Sequence, residues 1–183
     1  MSGTRAAFLD RDGTIIHDFH FTDSAEDVVL IPGAPHAIAR LNAAGIPVII
    51  VTNQSGIGRG FFTMTEYENV NARMQELLRA EGAHFDDTYV CPHHPESDGP
   101  CACRKPGTLL FERAASEHHL DVAGSLFAGD RYRDIQPGVT LHGMPILVPT
   151  DETPADDVAN ARLHGFTAQT LGEAVTRFLD AGA

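Results

Sequence analysis

Four carboxylates fall in two short motifs far apart in the chain. Asp10 and Asp12 stand in Asp10-Arg11-Asp12-Gly13-Thr14, and Asp130 follows Gly129, with Asp134 four residues on. Between these motifs lie Thr52-Asn53-Gln54-Ser55-Gly56 and Arg104-Lys105-Pro106. Brought to one edge, these groups would hold Mg²⁺ through hard carboxylate oxygens and a phosphoryl group through hydroxyl, amide and ammonium donors. Phosphoryl transfer asks for an in-line nucleophile and neutralised charge more than for elaborate covalent chemistry. A carboxylate lying on a metal stays ionised, and one two residues along, off the metal, can be protonated and act as an acid.

A second set of ligands lies between these motifs. The three cysteines, Cys91, Cys101 and Cys103, crowd into residues 91–103 together with His93. Cys-x-His and Cys-x-Cys give three thiolates and an imidazole, a closed tetrahedral set for a structural Zn²⁺. An odd cysteine count in a cytosolic-looking chain speaks against a disulfide framework. His94 reads as a spare, solvated or behind the ligands.

These residues need elements to position them. Short apolar runs read as strands at Ala6–Leu9, Pro47–Val51, Thr88–Val90, Ser125–Ala128 and Pro145–Val148. Helical patterns cover Ala34–Ala44 (closed by Gly45), Thr65–Ala80, Leu109–His119, Asp134–Leu141 and Gly172–Leu179. Thr65 with Glu68 three residues on has the spacing of a capping box. Alternating strands and helices imply an α/β fold with a parallel sheet. In such sheets ligands bind outside the carboxyl ends of the strands, and each chemical motif directly follows a strand, save that Arg104-Lys105-Pro106 is reached through the Cys/His loop. Asp10 and Asp12, two apart in an extended segment, are expected to point to one side. Any one motif is commonplace in an acidic chain; four in order, each placed at a strand end, carry the inference.

With 183 residues, 43% apolar and a net charge of −12, the chain is expected to form one domain over 1–183, with the zinc loop at 91–103. The acidic balance argues against nucleic acid. No apolar run approaches the ~20 residues of a membrane span. The N-terminus reaches two acidic residues before any signal-peptide core could form, so a cytoplasmic location is expected; a monomer is expected as well.

In that order, FLDRDGT, VTNQSG, CRKPG and AGDRYRD resemble the four motifs of haloacid-dehalogenase-type phosphatases. The resemblance implies a Rossmann-like three-layer α/β/α domain with a central parallel sheet. It makes Asp10 the nucleophile of an aspartyl-phosphate intermediate and Asp12 the general acid/base. Thr52 and Lys105 would hold the phosphoryl oxygens. Asp10, the main-chain carbonyl of Asp12 and Asp130 would bind Mg²⁺, with Asp134 supporting. CPHHP followed by CxCRKP resembles the zinc-containing branch, which comprises heptose-bisphosphate and histidinol-phosphate phosphatases. The likeness runs from Phe8 to about Val148. It carries substrate positions onto Asp18, Phe19, His20, Phe21, Asn53, Gln54, Ser55 and Arg104, with Arg131 after the metal-binding Asp. Phe21 and Arg131 stand where the heptose enzymes are expected to have Tyr and Lys. Arg59 is a candidate for a second anionic group or a solvated loop cation. The stretch from Gly13 to Ala34 is too short for a large cap. The expected activity is Mg²⁺-dependent hydrolysis of the 7-phosphate of a heptose 1,7-bisphosphate. Histidinol phosphate is the alternative substrate, and a non-catalytic phosphate-responsive module is the alternative of another class.

Overall fold

The computed structural model describes residues 3–19 and 22–182. Strands β1 (Thr4–Leu9), β2 (Val48–Asn53), β3 (Asp87–Cys91), β4 (Leu120–Gly129), β5 (Met144–Leu147) and β6 (Phe166–Thr167) form one parallel sheet in the order β3-β2-β1-β4-β5-β6. The helices are α1 (Ala34–Ala43), α2 (Ser55–Gly58), α3 (Met64–Ala80), α4 (Pro95–Asp98), α5 (Leu109–His118), α6 (Tyr132–Thr140), α7 (Ala155–His164) and α8 (Leu171–Asp180).

The continuous apolar runs of β1 and β2 follow from burial on both sides. Side chains alternate across a strand. Ala7, Leu9, Val48 and Ile50 pack against α1, α3 and α8 through Ile38, Leu41, Met74, Leu78, Val175 and Phe178. Ala6, Phe8, Ile49 and Val51 face the opposite layer, where Leu110, Phe111 and Ala114 of α5 close the core. Ile135 of α6 and Ala161 of α7 pack with Leu147 of β5. The result is the expected three-layer α/β/α arrangement.

The chain builds outward from β1 to β3, then returns to lay β4 against the free side of β1. That reversal is the switch point at which open α/β sheets bind ligands. The Asp10 N–H donates to the Ala128 carbonyl at 2.9 Å, so the residues that follow β1 and β4 emerge side by side.

Several local expectations change. The capping box of α3 is formed by Thr63 and Glu66, not Thr65 and Glu68: the Thr63 hydroxyl accepts from the Glu66 N–H at 3.2 Å, and Glu66 Oε2 accepts from the Thr63 N–H at 2.6 Å. Both pairs have the right spacing, and the extended backbone of Thr63 decides between them. Helix α7 and strand β6 were not anticipated. Beyond Asp10 the chain does not stay extended: the Arg11 carbonyl accepts N–H groups from Thr14, Ile15 and Ile16, which folds the segment into a tight turn. Between that turn and α1 the described residues form only a 3-10 turn at Ala25–Asp27 and isolated bridges, so no large cap sits there.

Candidate active site

Asp10 leaves the end of β1 and meets Lys105, which is buried. The Lys105 ammonium donates to Asp10 Oδ1 at 2.7 Å, to Asp134 Oδ1 at 2.8 Å and to the Val51 carbonyl at 2.7 Å, which uses all three of its N–H bonds. Asp134 also accepts the Arg131 N–H at 3.0 Å at the start of α6, and Arg131 Nε donates to Asp130 Oδ2 at 3.2 Å. Gly13 must be glycine, because its φ is +77° and a Cβ there would lie 2.8 Å from the Asp130 carboxylate.

Burial pushes Asp10 up to about 7; Lys105 pulls it down, while Asp134, Asp130 and Asp12 push it up further. Asp130 is raised to about 6, by burial first and then by Asp134. Burial disfavours the charge on Lys105, yet Asp10 and Asp134 outweigh that and raise its pKa. Negative charge is therefore in excess at this edge. Single ligand oxygens of Asp10, Asp130 and Asp134 all lie within 4.8 Å of one another. A hard-oxygen set short of positive charge fits Mg²⁺. Asp134, expected in a supporting role, is a full member of this cluster.

The Asp12 carboxylate is held separately. Its Oδ2 accepts from Gln54 Nε2 at 2.7 Å and from Arg11 Nε at 3.0 Å, and its Oδ1 accepts from Arg11 Nη2 at 3.1 Å. The same Gln54 nitrogen reaches Thr52 Oγ1 at 2.9 Å.

A cavity of about 200 Å³ opens over these groups. Asp10, Asp12, Thr52, Lys105, Asp130 and Asp134 line it, as do the expected Asp18, Asn53, Gln54, Ser55, Arg104 and Arg131. Phe19 and Arg59 do not. Phe19 is 56% exposed, and the Arg59 guanidinium lies 5.4 Å from the Phe61 ring centre. His20 and Phe21 lie outside the described residues. Thr22 and Arg133 line the cavity unanticipated. Arg11, buried and paired with Asp12, was also unanticipated, although its place inside the Asp-x-Asp motif was a signal. Asn53, expected to touch substrate, has both ends of its amide on the Lys105 main chain.

The cysteine cluster assembles as the spacing suggested. Cys91 Sγ lies 2.7 Å from Cys103 Sγ and 3.6 Å from Cys101 Sγ, and His93 Nδ1 is 3.2 Å from Cys103 Sγ. Burial raises the Cys91 and Cys103 thiols. For Cys101 burial acts upward too, but the Arg104 N–H and the neighbouring cluster groups bring it down to about 7. Soft thiolates with one imidazole fit zinc. His94 caps α4, its ring accepting the Glu96 N–H at 3.3 Å. Gln54 N–H donates to the Cys91 carbonyl at 2.8 Å, Gly58 N–H to Pro92 at 2.9 Å, and Arg104 Nη1 to the His93 carbonyl at 3.3 Å, so this loop is joined to the cavity wall.

A haloacid dehalogenase-like hydrolase model matches residues 7–81, and a second HAD-hydrolase-like model matches residues 102–174. The chain belongs to the haloacid dehalogenase-like hydrolases, in the branch of the heptose-bisphosphate phosphatases. It is 35% identical over 162 residues to the D-glycero-beta-D-manno-heptose-1,7-bisphosphate 7-phosphatase of Escherichia coli K12, covering 85% of each chain. It is 44% identical over 138 residues to the Mesorhizobium japonicum protein of the same name, covering 73% of this chain but 64% of that one. The crystal structure of D,D-heptose 1,7-bisphosphate phosphatase from B. bronchiseptica, complexed with magnesium and phosphate, superposes with a TM-score of 0.87 at 31% identity, covering 97% of this chain and 99% of the other.

Proposed function

We propose that this protein is a Mg²⁺-dependent phosphatase that removes the 7-phosphate of D-glycero-D-manno-heptose 1,7-bisphosphate. The observation that carries this reading is the ion pairing of Lys105 with Asp10 and Asp134 at the floor of a cavity whose wall includes Arg104, Arg131 and Arg133. The floor suits a reacting phosphoryl group. The guanidinium groups suit a second phosphate, which arginine can bind through two parallel hydrogen bonds. The names of the relatives support the same substrate.

In this reading an Asp10 oxygen attacks phosphorus as the bond to the sugar oxygen breaks, and Asp12 gives that oxygen its proton. Thr52 holds one phosphoryl oxygen, and Lys105 holds another by giving up one of its carboxylate contacts. Water then attacks the aspartyl-phosphate and passes a proton to Asp12. Inorganic phosphate leaves, and Asp10 is restored. Mg²⁺, held by Asp10, Asp130 and the Asp12 carbonyl with Asp134 beside them, would supply charge neutralisation at the transferring group. Zn²⁺ on Cys91, His93, Cys101 and Cys103 would be structural, because no ligand position stays open.

Among the described residues no helix is long and apolar enough to cross a membrane. We take the protein to act in the cytoplasm as a monomer; its cysteines gather as a ligand set rather than in a disulfide, which suits a reducing compartment.

Asp18, in the cavity wall, favours the alternative substrate, histidinol phosphate, because a carboxylate there could meet its amine. Phosphate release from both substrates decides. The bisphosphate should have a kcat/KM at least about tenfold higher, and a faster histidinol phosphate reaction overturns the assignment. A protein that turns over neither, yet binds phosphate, would be a non-catalytic module.

A further inference from the structure

Arg11 lies between the two aspartates of the first motif, and it is the largest fully buried side chain among the described residues, with 0% exposure. Burying a guanidinium is costly unless its charge and its N–H groups are matched. Asp12 matches both. Arg11 Nε donates to Asp12 Oδ2 at 3.0 Å and Nη2 to Asp12 Oδ1 at 3.1 Å, a two-pronged contact. The remaining contacts come from α3: Nη1 donates to Asn71 Oδ1 at 3.3 Å, and the guanidinium carbon lies 5.3 Å from the Tyr67 ring centre. Tyr67 and Asn71 are four apart and share one helix face. Arg11 thus links α3, rooted in the core through Met74 and Leu78, to a carboxylate at the cavity.

We propose that Arg11 is the positioning residue of the acid/base: it fixes the rotamer of Asp12, and α3 fixes Arg11. This rests on the role given to Asp12 above. Gln54 shares Oδ2 with Arg11, whereas Oδ1 accepts one bond among the described residues. Oδ1 is therefore the less committed of the two oxygens. The planar fork explains why arginine stands here. An ammonium could balance the charge but could not set the plane of the carboxylate.

Leaving-group dependence separates positioning from a merely structural role. An alkyl phosphate needs a proton on its departing oxygen, whereas a p-nitrophenyl phosphate loses a stable phenolate without one. kcat/KM reports the steps through departure of that group. Arg11→Lys should lower kcat/KM for a sugar phosphate at least ~10-fold more than for p-nitrophenyl phosphate, with KM little changed, since general acid catalysis is worth ~10²-fold or more. Asn71→Ala, which removes only the rear contact, should produce the same split at ~3-fold or more. It also keeps the test open if Arg11→Lys shows no cooperative melting. Asp12→Asn is the control. If it shows no split, the role of Asp12 is wrong. If it shows the split but the Arg11→Lys and Asn71→Ala variants lose both activities equally or neither, the positioning role of Arg11 is overturned.

Discussion

Asn53 clamps Lys105 by its main chain. The Asn53 Oδ1 accepts the Lys105 N–H at 3.0 Å, and Asn53 Nδ2 donates to the Lys105 carbonyl at 3.2 Å. The last residue of β2 thereby fixes a residue 52 positions later, at the far end of the cysteine loop. Each polar end of the amide makes one of these contacts, so Asn53 is expected to act on the substrate chiefly through Lys105.

Asn53→Ala should therefore lower kcat/KM by about 10- to 100-fold, because a small misplacement of a positioned group is costly in phosphoryl transfer. The loss should be the same for a sugar bisphosphate and for an aryl phosphate, since both present the same phosphoryl group to Lys105. A loss confined to the bisphosphate would return Asn53 to the role of direct substrate contact.

Asp10→Asn removes the nucleophile with almost no change in volume. It also removes one of several carboxylates crowded into a buried site, which lessens repulsion with Asp130 and Asp134. Turnover should fall at least ~10³-fold, as the loss of a covalent nucleophile costs several kcal/mol. In Mg²⁺-free buffer the melting temperature should hold or rise. Steady-state assays and thermal melts on the same preparation check both, and activity within about tenfold of wild type would remove Asp10 as nucleophile.

The contrast between Asp10 and Arg11 shows what was legible in the sequence. The strand ends were visible because most of β2 and the last four residues of β1 and of β4 are buried and apolar, and the groups that follow them fell at the switch point by topology alone. What a side chain does once there depends on partners distant in sequence. Arg11 finds Asn71 and Tyr67 on α3, and Asn53 finds the main chain of Lys105, neither of which any spacing rule encodes. Helix α7 escaped for a different reason. Only Ala161 of its residues is buried, so it carries almost no apolar stripe. The two overlapping Thr-x-x-Glu spacings before α3 were equally good on paper.

The purified chain should carry one zinc, and Cys101→Ser should lower its melting temperature more than it alters chemistry in the folded fraction. The closed ligand set motivates the first half, because structural zinc contributes directly to folding. The second half follows from Lys105, which the Asn53 clamp and its own three ammonium contacts hold independently of the metal loop. Elemental analysis of protein prepared without chelator, and kcat measured well below the melting temperature, test the two halves. Absence of zinc refutes the site, and a total loss of turnover with the fold intact refutes the division of labour.

The carboxylate cluster makes stability depend on pH in the direction opposite to that of a salt-bridged surface acid. Burial first, then the neighbouring carboxylates, raise Asp10 to about 7 against the pull of Lys105, and Asp130 to about 6, from an ordinary 3.8. The folded chain holds these protons more tightly than the unfolded chain does, so without metal this site destabilises the fold as pH rises from about 4 to about 7. Mg²⁺ binds the ionised carboxylates and must displace those protons. Its stabilisation should thus be small near pH ~5 and larger near pH ~8, where no proton competes. Melts in Mg²⁺-free buffer, with and without added Mg²⁺, measure this without a chelator that would strip zinc. Asp130→Asn should remove most of the Mg²⁺ shift at the higher pH. A Mg²⁺ shift that is equal at the two pH values, greater at the acidic one, or untouched by Asp130→Asn would show that the metal does not bind through this cluster.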